Sequence, residues 1–310
     1  MTALYLFTYV SILFFFLLII GKMIKYSSMP IHLRWELYPV AHEGKKAEYG
    51  GSYYEDSKFW EKEREKSKFL EMKEMLEEIV FLKGVFIHNR PLWYFSFPFH
   101  FGLYMLIAVL VFIVFGAIAI MAGTSVAAEG TSLIGMAIYY LTIITGYSGV
   151  ILTVFGSLGL FMKRLTDKNL RLYNSPIEYV NLLFICLVAV SLLFNDVRTD
   201  FSINRSYIAG LFTFDTTLNY PTMYVAHVII SAALFIYLPL TRMTHFVAKY
   251  FLYHNVKWDD ELNVKGSKLQ KRIIEALNYG VSWSAPHMKT GKTWAEVATN
   301  LPEEANNEKK

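Results

Sequence analysis

The 310-residue chain contains one cysteine, Cys186, and it sits within an apolar run. A single thiol excludes an internal disulfide, a CxxC redox pair and a cysteine-ligated iron–sulfur cluster within this chain. Charge is also scarce. Asp, Glu, Lys and Arg make up 18% of the residues, and they cluster between Lys22 and Arg90, between Lys163 and Arg171, and after Lys249. The net charge of +4 therefore reflects where the loops fall, not a surface built for nucleic acid. Internal repeats, paired broken helices and charged residues at mid-membrane depth are missing, which argues against a solute transporter.

Apolar residues are what the chain has in excess: 54% hydrophobic and 16% aromatic, too greasy for a soluble domain of this length. Five predominantly apolar runs are near the length of about 20 residues that a helix needs to cross a hydrocarbon core. They are Leu4–Ile20, Trp93–Met121, Ile134–Leu160, Ile177–Leu193 and Met223–Phe246. The expected fold class is an all-α integral membrane protein with five transmembrane helices. The first run lacks a basic segment before it and is followed by Lys22 and Lys25, so it reads as a retained helix and not a signal peptide.

Lysines and arginines near the span ends set the expected orientation. Lys22, Lys25 and Arg34 follow the first run, and Lys83 and Arg90 precede the second. Lys163, Arg164, Lys168 and Arg171 lie between the third and fourth, and Lys249 and Lys257 follow the fifth. The opposite loops are lighter: 122–132 holds only Glu129, and 195–222 holds Arg198 and Arg205 against three aspartates. With five crossings every heavy loop falls on one side. The N-terminus is then outside and the C-terminus cytoplasmic, in a multi-pass protein of the cytoplasmic membrane.

The expected organisation is a first transmembrane helix over 1–24, a cytoplasmic loop with an amphipathic helix over 25–90, a core of helices two to five over 91–248, and a cytoplasmic, partner-docking tail over 249–310. Within the loop, Phe59–Leu82 reads as a charged helix with Phe69, Met72, Met75, Leu76 and Ile79 on one face. That face suits a solvated or membrane-surface helix, or a cytoplasmic partner. The tail, with Trp283, Pro286 and Trp294 among polar residues, has too few apolar residues for a core of its own, and Glu303–Lys310 reads as disordered.

Ionisable groups inside membrane helices are costly and by default mark function. Here they are nearly all histidines: His100 in the second run, and His227 and His245 at opposite ends of the fifth. The last two are 18 residues apart, five turns of 3.6, so both imidazoles project from one face of the fifth span, about 27 Å apart along the axis. That arrangement suits a haem bundle in which each iron takes one imidazole from this helix and another from a facing one. Each histidine alone could instead bond a neighbouring carbonyl, and His245 could snorkel to the interface. Zinc is disfavoured, because no carboxylate or cysteine accompanies the imidazoles.

By depth, His100 and His245 pair at the cytoplasmic end. Arg164 and Arg242, at the same face, suit haem propionates or simply the positive-inside rule. Small residues such as Gly102 and Ala226 would let a macrocycle approach. His227 is left near the outer end, facing the depth of Leu110, Val111 and Phe112. His88 is a further candidate ligand, although Asn89, Arg90 and Pro91 place the helix start after it. Asp196, Arg198 and Asp200 are candidates for proton exchange on the outer side, or solvated loop charges. His32, His42, His254 and His287 fit structural or partner-contact roles.

At these residues the chain resembles the gamma subunit of respiratory nitrate reductase, a five-helix dihaem cytochrome b. The segment from His227 to His245 looks like that family's last helix, and Phe99-His100-Phe101-Gly102 resembles its first ligand element. The family carries a second histidine ten residues further on; this chain has Leu110. A closer resemblance is to the DsrM-type membrane cytochromes of the complex associated with dissimilatory sulfite reduction, which include archaeal Hme-type subunits. It rests on His32-Leu-Arg-Trp-Glu-Leu-Tyr-Pro-Val-Ala-His42-Glu, Leu92-Trp-Tyr-Phe-Ser-Phe-Pro-Phe-His100 and Val281-Ser-Trp-Ser-Ala-Pro-His287.

The resemblance implies one or two haems b, with His100, His245 and His227 as axial ligands, and menaquinone as the membrane substrate. It also implies a cytoplasmic iron–sulfur subunit of heterodisulfide reductase type, a second membrane subunit that interacts with quinone, and periplasmic multihaem cytochrome c and ferredoxin-like subunits. The expected function is electron transfer between menaquinone and the cytoplasmic iron–sulfur subunit. The alternatives are a non-catalytic membrane anchor and a small-solute transporter.

Overall fold

A computed structural model describes residues 1–28, 56–62, 67–193, 200–254, 264–285, 288 and 290–299. The described residues are helical, with only isolated bridges, Gly280 to Thr293 and Ala285 to Met288, outside the helices and turns. The helices are α1 (Thr2–Ser28), α2 (Lys68–Phe81), α3 (Lys83–His88), α4 (Arg90–Met121), α5 (Leu133–Thr166), α6 (Lys168–Tyr173), α7 (Pro176–Ser191), α8 (Ser202–Thr213), α9 (Thr222–Tyr237), α10 (His245–Lys249), α11 (Lys268–Leu277) and α12 (Trp294–Thr299).

Among the described residues, four segments are long and apolar enough to cross a membrane: α1, α4, α5, and α9 continued to Leu240. This chain is a multi-pass membrane protein. The fourth expected run is helical as α7, but its 16 residues make a shorter apolar helix. The chain divides into two compact units, one of Met1–Ile20 with Met75–His245, the other of Gly21–Glu74 with Phe246–Lys310.

In the first unit α4 and α5 form the most extensive helix pair. Their axes approach closely because glycines remove side chains at the crossing. A Cβ on Gly102 would lie 2.5 Å from the backbone nitrogen of Thr153, and one on Gly156 would collide with the backbone of Phe99. Gly102 therefore serves helix packing, correcting the expectation that it makes room for a macrocycle. Around this contact Phe99, Leu160, Leu182 and Ile185 form one buried cluster, and Val109, Ile113 and Phe201 another.

Three expectations about the elements are corrected. The helix expected over Phe59–Leu82 begins only at Lys68 among the described residues, after a 3-10 turn at Phe59–Glu61. The loop expected over 195–222 contains α8, whose Asn204, Arg205, Tyr207 and Leu211 are buried. The run expected as one helix over Met223–Phe246 is broken. α9 ends at Tyr237, 3-10 turns follow at Leu238–Leu240 and Arg242–Thr244, and α10 starts at His245. Pro239 has no N–H to donate and its ring crowds the carbonyl one turn back, at Phe235. Thr241 is extended (φ −109°, ψ 178°), and its hydroxyl accepts from the Met243 N–H to restart the chain.

Between α5 and α6, Asp167 caps α6 by accepting from the N–H groups of Asn169 and Leu170, and Lys163 lies 3.2 Å from its carboxylate. Lys163 and these N–H groups hold the Asp167 carboxyl below its ordinary value. A depressed carboxyl contributes stability that is present above the unfolded value, near 3.9, and is lost as pH falls through the folded one. Amide exchange at Asn169 and Leu170 should stay protected down to about pH 4 and lose protection below it. Asp167→Asn should lower that protection and remove the acid step.

In the second unit Leu269, Val281 and Met288 are buried, and Val281 exchanges backbone hydrogen bonds with Lys292 and Gly291. Glu303–Lys310 lies outside the described residues. The Arg272 guanidinium donates to the Ser27 carbonyl at 3.2 Å, satisfying one of the last carbonyls of α1.

Candidate functional site

The structure brings His100 and His245 together. His100 lies on α4, two residues after Pro98, and His245 opens α10 directly after the break at Pro239–Thr244. Their ring centroids are 6.1 Å apart, with the planes at 79°. The break changes the argument made from spacing. His227 and His245 are not on one continuous helix, so the shared face expected from 3.6-residue periodicity does not apply. The pairing of His100 with His245 stands on the observed contact instead.

That spacing would suit two imidazoles holding one metal. A metal–imidazole nitrogen bond is about 2 Å, so two rings that shared a metal would have centroids about 6 Å apart. The His100 Nδ1 lies 2.7 Å from the Ser96 carbonyl oxygen. A carbonyl can only accept, so Nδ1 carries the proton and Nε2 is the nitrogen that would ligate a metal. Among the described residues no group of three or more His, Cys, Asp and Glu could enclose a metal ion. Two imidazoles therefore fit a metal whose remaining donors belong to a macrocycle, which is the donor set of a bis-histidine haem.

Residues that were not singled out from the sequence brace this end. The Tyr237 hydroxyl donates to Asn181 Oδ1 at 2.7 Å, tying the last turn of α9 to α7 just before the break. Asn181 is buried, and it had read only as one polar residue in an apolar run. Glu178 gathers both arginines expected near the site. The Arg242 guanidinium is 3.8 Å from its carboxylate, and Arg164 donates to its backbone carbonyl at 3.3 Å. The Arg242 side chain is 86% exposed, so its ion pair contributes little to stability.

Among the described residues the structure does not bring a second histidine to His227. This imidazole is buried, with Nδ1 2.7 Å from the Ser191 hydroxyl. Ser191 in turn donates to the Val188 carbonyl at 2.7 Å, which uses its only proton. His227 is then the donor to Ser191, and its acceptor nitrogen is Nε2. Tyr224 packs beside it at 6.2 Å between centroids, and Leu110 is exposed. His88 is exposed at the end of α3; Asn89 follows it, and its side chain accepts from the Leu92 N–H as α4 begins.

Arg205 is the residue the sequence concealed. Its side chain is 1% exposed, and its stem fills the space left by Gly116 on α4. Asp200 lies 3.9 Å from its guanidinium. In the sequence it stands among Asn204, Ser206 and Tyr207 and reads as a loop charge. Only the facing glycine, 89 positions earlier, hints that it turns inward. Asp196, Arg198, His32, His42 and His287 lie outside the described residues, as does the side chain of His254.

Comparison with known families finds a match. Residues 84–258 fit the family model described as nitrate reductase gamma subunit. No curated protein and no solved structure matches the chain.

Proposed function

The chain belongs to the nitrate reductase gamma subunit family, whose members are membrane cytochrome b-type electron-transfer subunits, and on that premise we propose that it is the haem b subunit of a quinone-linked respiratory complex. The observation that carries this reading is the 6.1 Å spacing of His100 and His245. A haem held between them supplies a one-electron relay. The chain's own residues do the rest. The Ser96 carbonyl sets the His100 tautomer, the break at Pro239 brings His245 to the start of a new helix, and the Tyr237–Asn181 bond holds the end of α9 against α7.

The finer reading is of the DsrM type. A haem held by His100 and His245 would link menaquinone in the bilayer to a cytoplasmic iron–sulfur subunit of heterodisulfide reductase type in a complex linked to sulfite reduction. A second quinone-interacting membrane subunit, a periplasmic multihaem cytochrome c and a ferredoxin-like subunit complete the assembly. In this reading α7 also crosses the bilayer, giving five crossings with the N-terminus outside. Segment 25–90 and the tail from 249 then lie on the cytoplasmic side, where they dock partners.

We assign to the chain's own ligands only the haem at the His100–His245 end. His227 is available to a second haem, but the other axial ligand would have to come from beyond the histidines described. The test is the haem b content of the purified chain alongside His227→Ala. The expected result is that His227→Ala keeps the His100–His245 haem and its α-band unchanged. A purified wild-type chain without b-type bands in the reduced-minus-oxidised spectrum would instead make it a non-catalytic anchor.

A further inference from the structure

The α2 helix is amphipathic with its greasy side turned outward. Phe69, Met72, Leu76 and Ile79 recur at helical spacing on one face and are 75%, 57%, 50% and 40% exposed. The polar face carries Glu71, Glu74, Glu77 and Glu78, all partly buried. Glu78 accepts from the Gly84 N–H at 2.7 Å, and Glu77 pairs with Lys83 at 2.7 Å. A helix in water folds the other way round, so the exposed stripe needs an apolar neighbour.

The attachments of α2 say which neighbour. Its last carbonyls are held by α4, a membrane-spanning helix. The Tyr104 hydroxyl donates to the Ile79 carbonyl at 2.7 Å, and the Trp93 indole N–H donates to the Phe81 carbonyl at 2.7 Å. At 1.5 Å per residue α4 is about 48 Å long, against a hydrocarbon core of about 30 Å. Counting about 20 residues back from Met121, the other edge of the core falls near Gly102. Trp93 and Tyr104 bracket that edge, as aromatic residues with one apolar and one polar side do at a bilayer surface. The final turn of α2 is hydrogen-bonded to the same stretch of helix.

We propose that α2 is an interfacial helix, its Phe69–Met72–Leu76–Ile79 face buried in the boundary between headgroups and acyl chains at the His100 end of the molecule. Its charge identifies the kind of lipid contact. With two lysines against four glutamates, α2 gains nothing from anionic headgroups, so apolar burial drives the contact and salt does not weaken it. The helix would then fix the entry of α4 from the side, at the end of the bundle where His100 lies.

The test uses the full chain with Cys186→Ser, reconstituted in phosphatidylcholine vesicles. Single cysteines at Met72→Cys, Leu76→Cys and, on the opposite face, Glu74→Cys carry a nitroxide whose collisions with oxygen and with a water-soluble nickel complex are compared. The expected result is a ratio of oxygen to nickel collisions several-fold higher at 72 and 76 than at 74, unchanged between low and high salt. Equal nickel access at all three positions would overturn the proposal. Protection of 72 and 76 that appears only when the other subunits are added would overturn it in favour of a protein contact. The readout does not depend on haem, so this proposal and the haem assignment stand or fall separately.

Discussion

Alanine in place of His100 is expected to remove a low-spin b-type haem signal, and alanine in place of His245 to remove the same signal. The two rings face each other at the spacing of two ligands on one metal, so neither can be lost while the haem stays six-coordinate. Losing only an outer partner of a metal-bound imidazole already costs about 10–100-fold in metal affinity, and losing the ligand itself costs more. Haem per chain in either variant should therefore fall at least about tenfold below wild type. If His100→Ala retained a low-spin haem that His245→Ala lost, the pairing would be wrong.

The second large effect is expected at a residue that touches no cofactor. Gly156→Leu should abolish assembly of the bundle, because even a single Cβ there meets the backbone nitrogen and Cα of Phe99. A side chain can rotate away from an added methyl group, but two helix backbones can only separate. Overpacking that side chains can absorb costs about 1–3 kcal/mol; here the adjustment must move α4, and the cost lies beyond that range. Phe99 precedes His100, so the same displacement carries the ligand away. Gly156→Leu should thus lower both the yield of folded protein and its haem content, measured by size exclusion with detection at the Soret band. Gly21→Leu, with open space around its Cβ position, is the control and should leave both unchanged.

How much of this was legible in the sequence depended on how local the signal was. The membrane helices were legible because hydrophobic length is a property of one contiguous stretch, and α1, α4 and α5 fall where the apolar runs predict. His100 and His245 could be matched by depth, since each lies near a span end on the same side. The break before His245 was missed although Pro239 stands within the run; the extended Thr241 and its cap on Met243 depend on three-dimensional geometry. Arg205 was not legible at all, because its burial depends on Gly116 in a distant helix. Gly102 misled for a similar reason. A small residue beside a histidine looks like space for a ligand, and the space belongs to Thr153.

The central claim, that His100 and His245 are two axial ligands of one haem, is tested most directly by low-temperature electron paramagnetic resonance of the oxidised chain. With the imidazole planes at 79°, the account predicts a strongly anisotropic low-spin ferric signal, the kind given by nearly perpendicular axial imidazoles, absent from His100→Ala and His245→Ala. A wild-type spectrum showing only high-spin iron, or no haem signal, would contradict it.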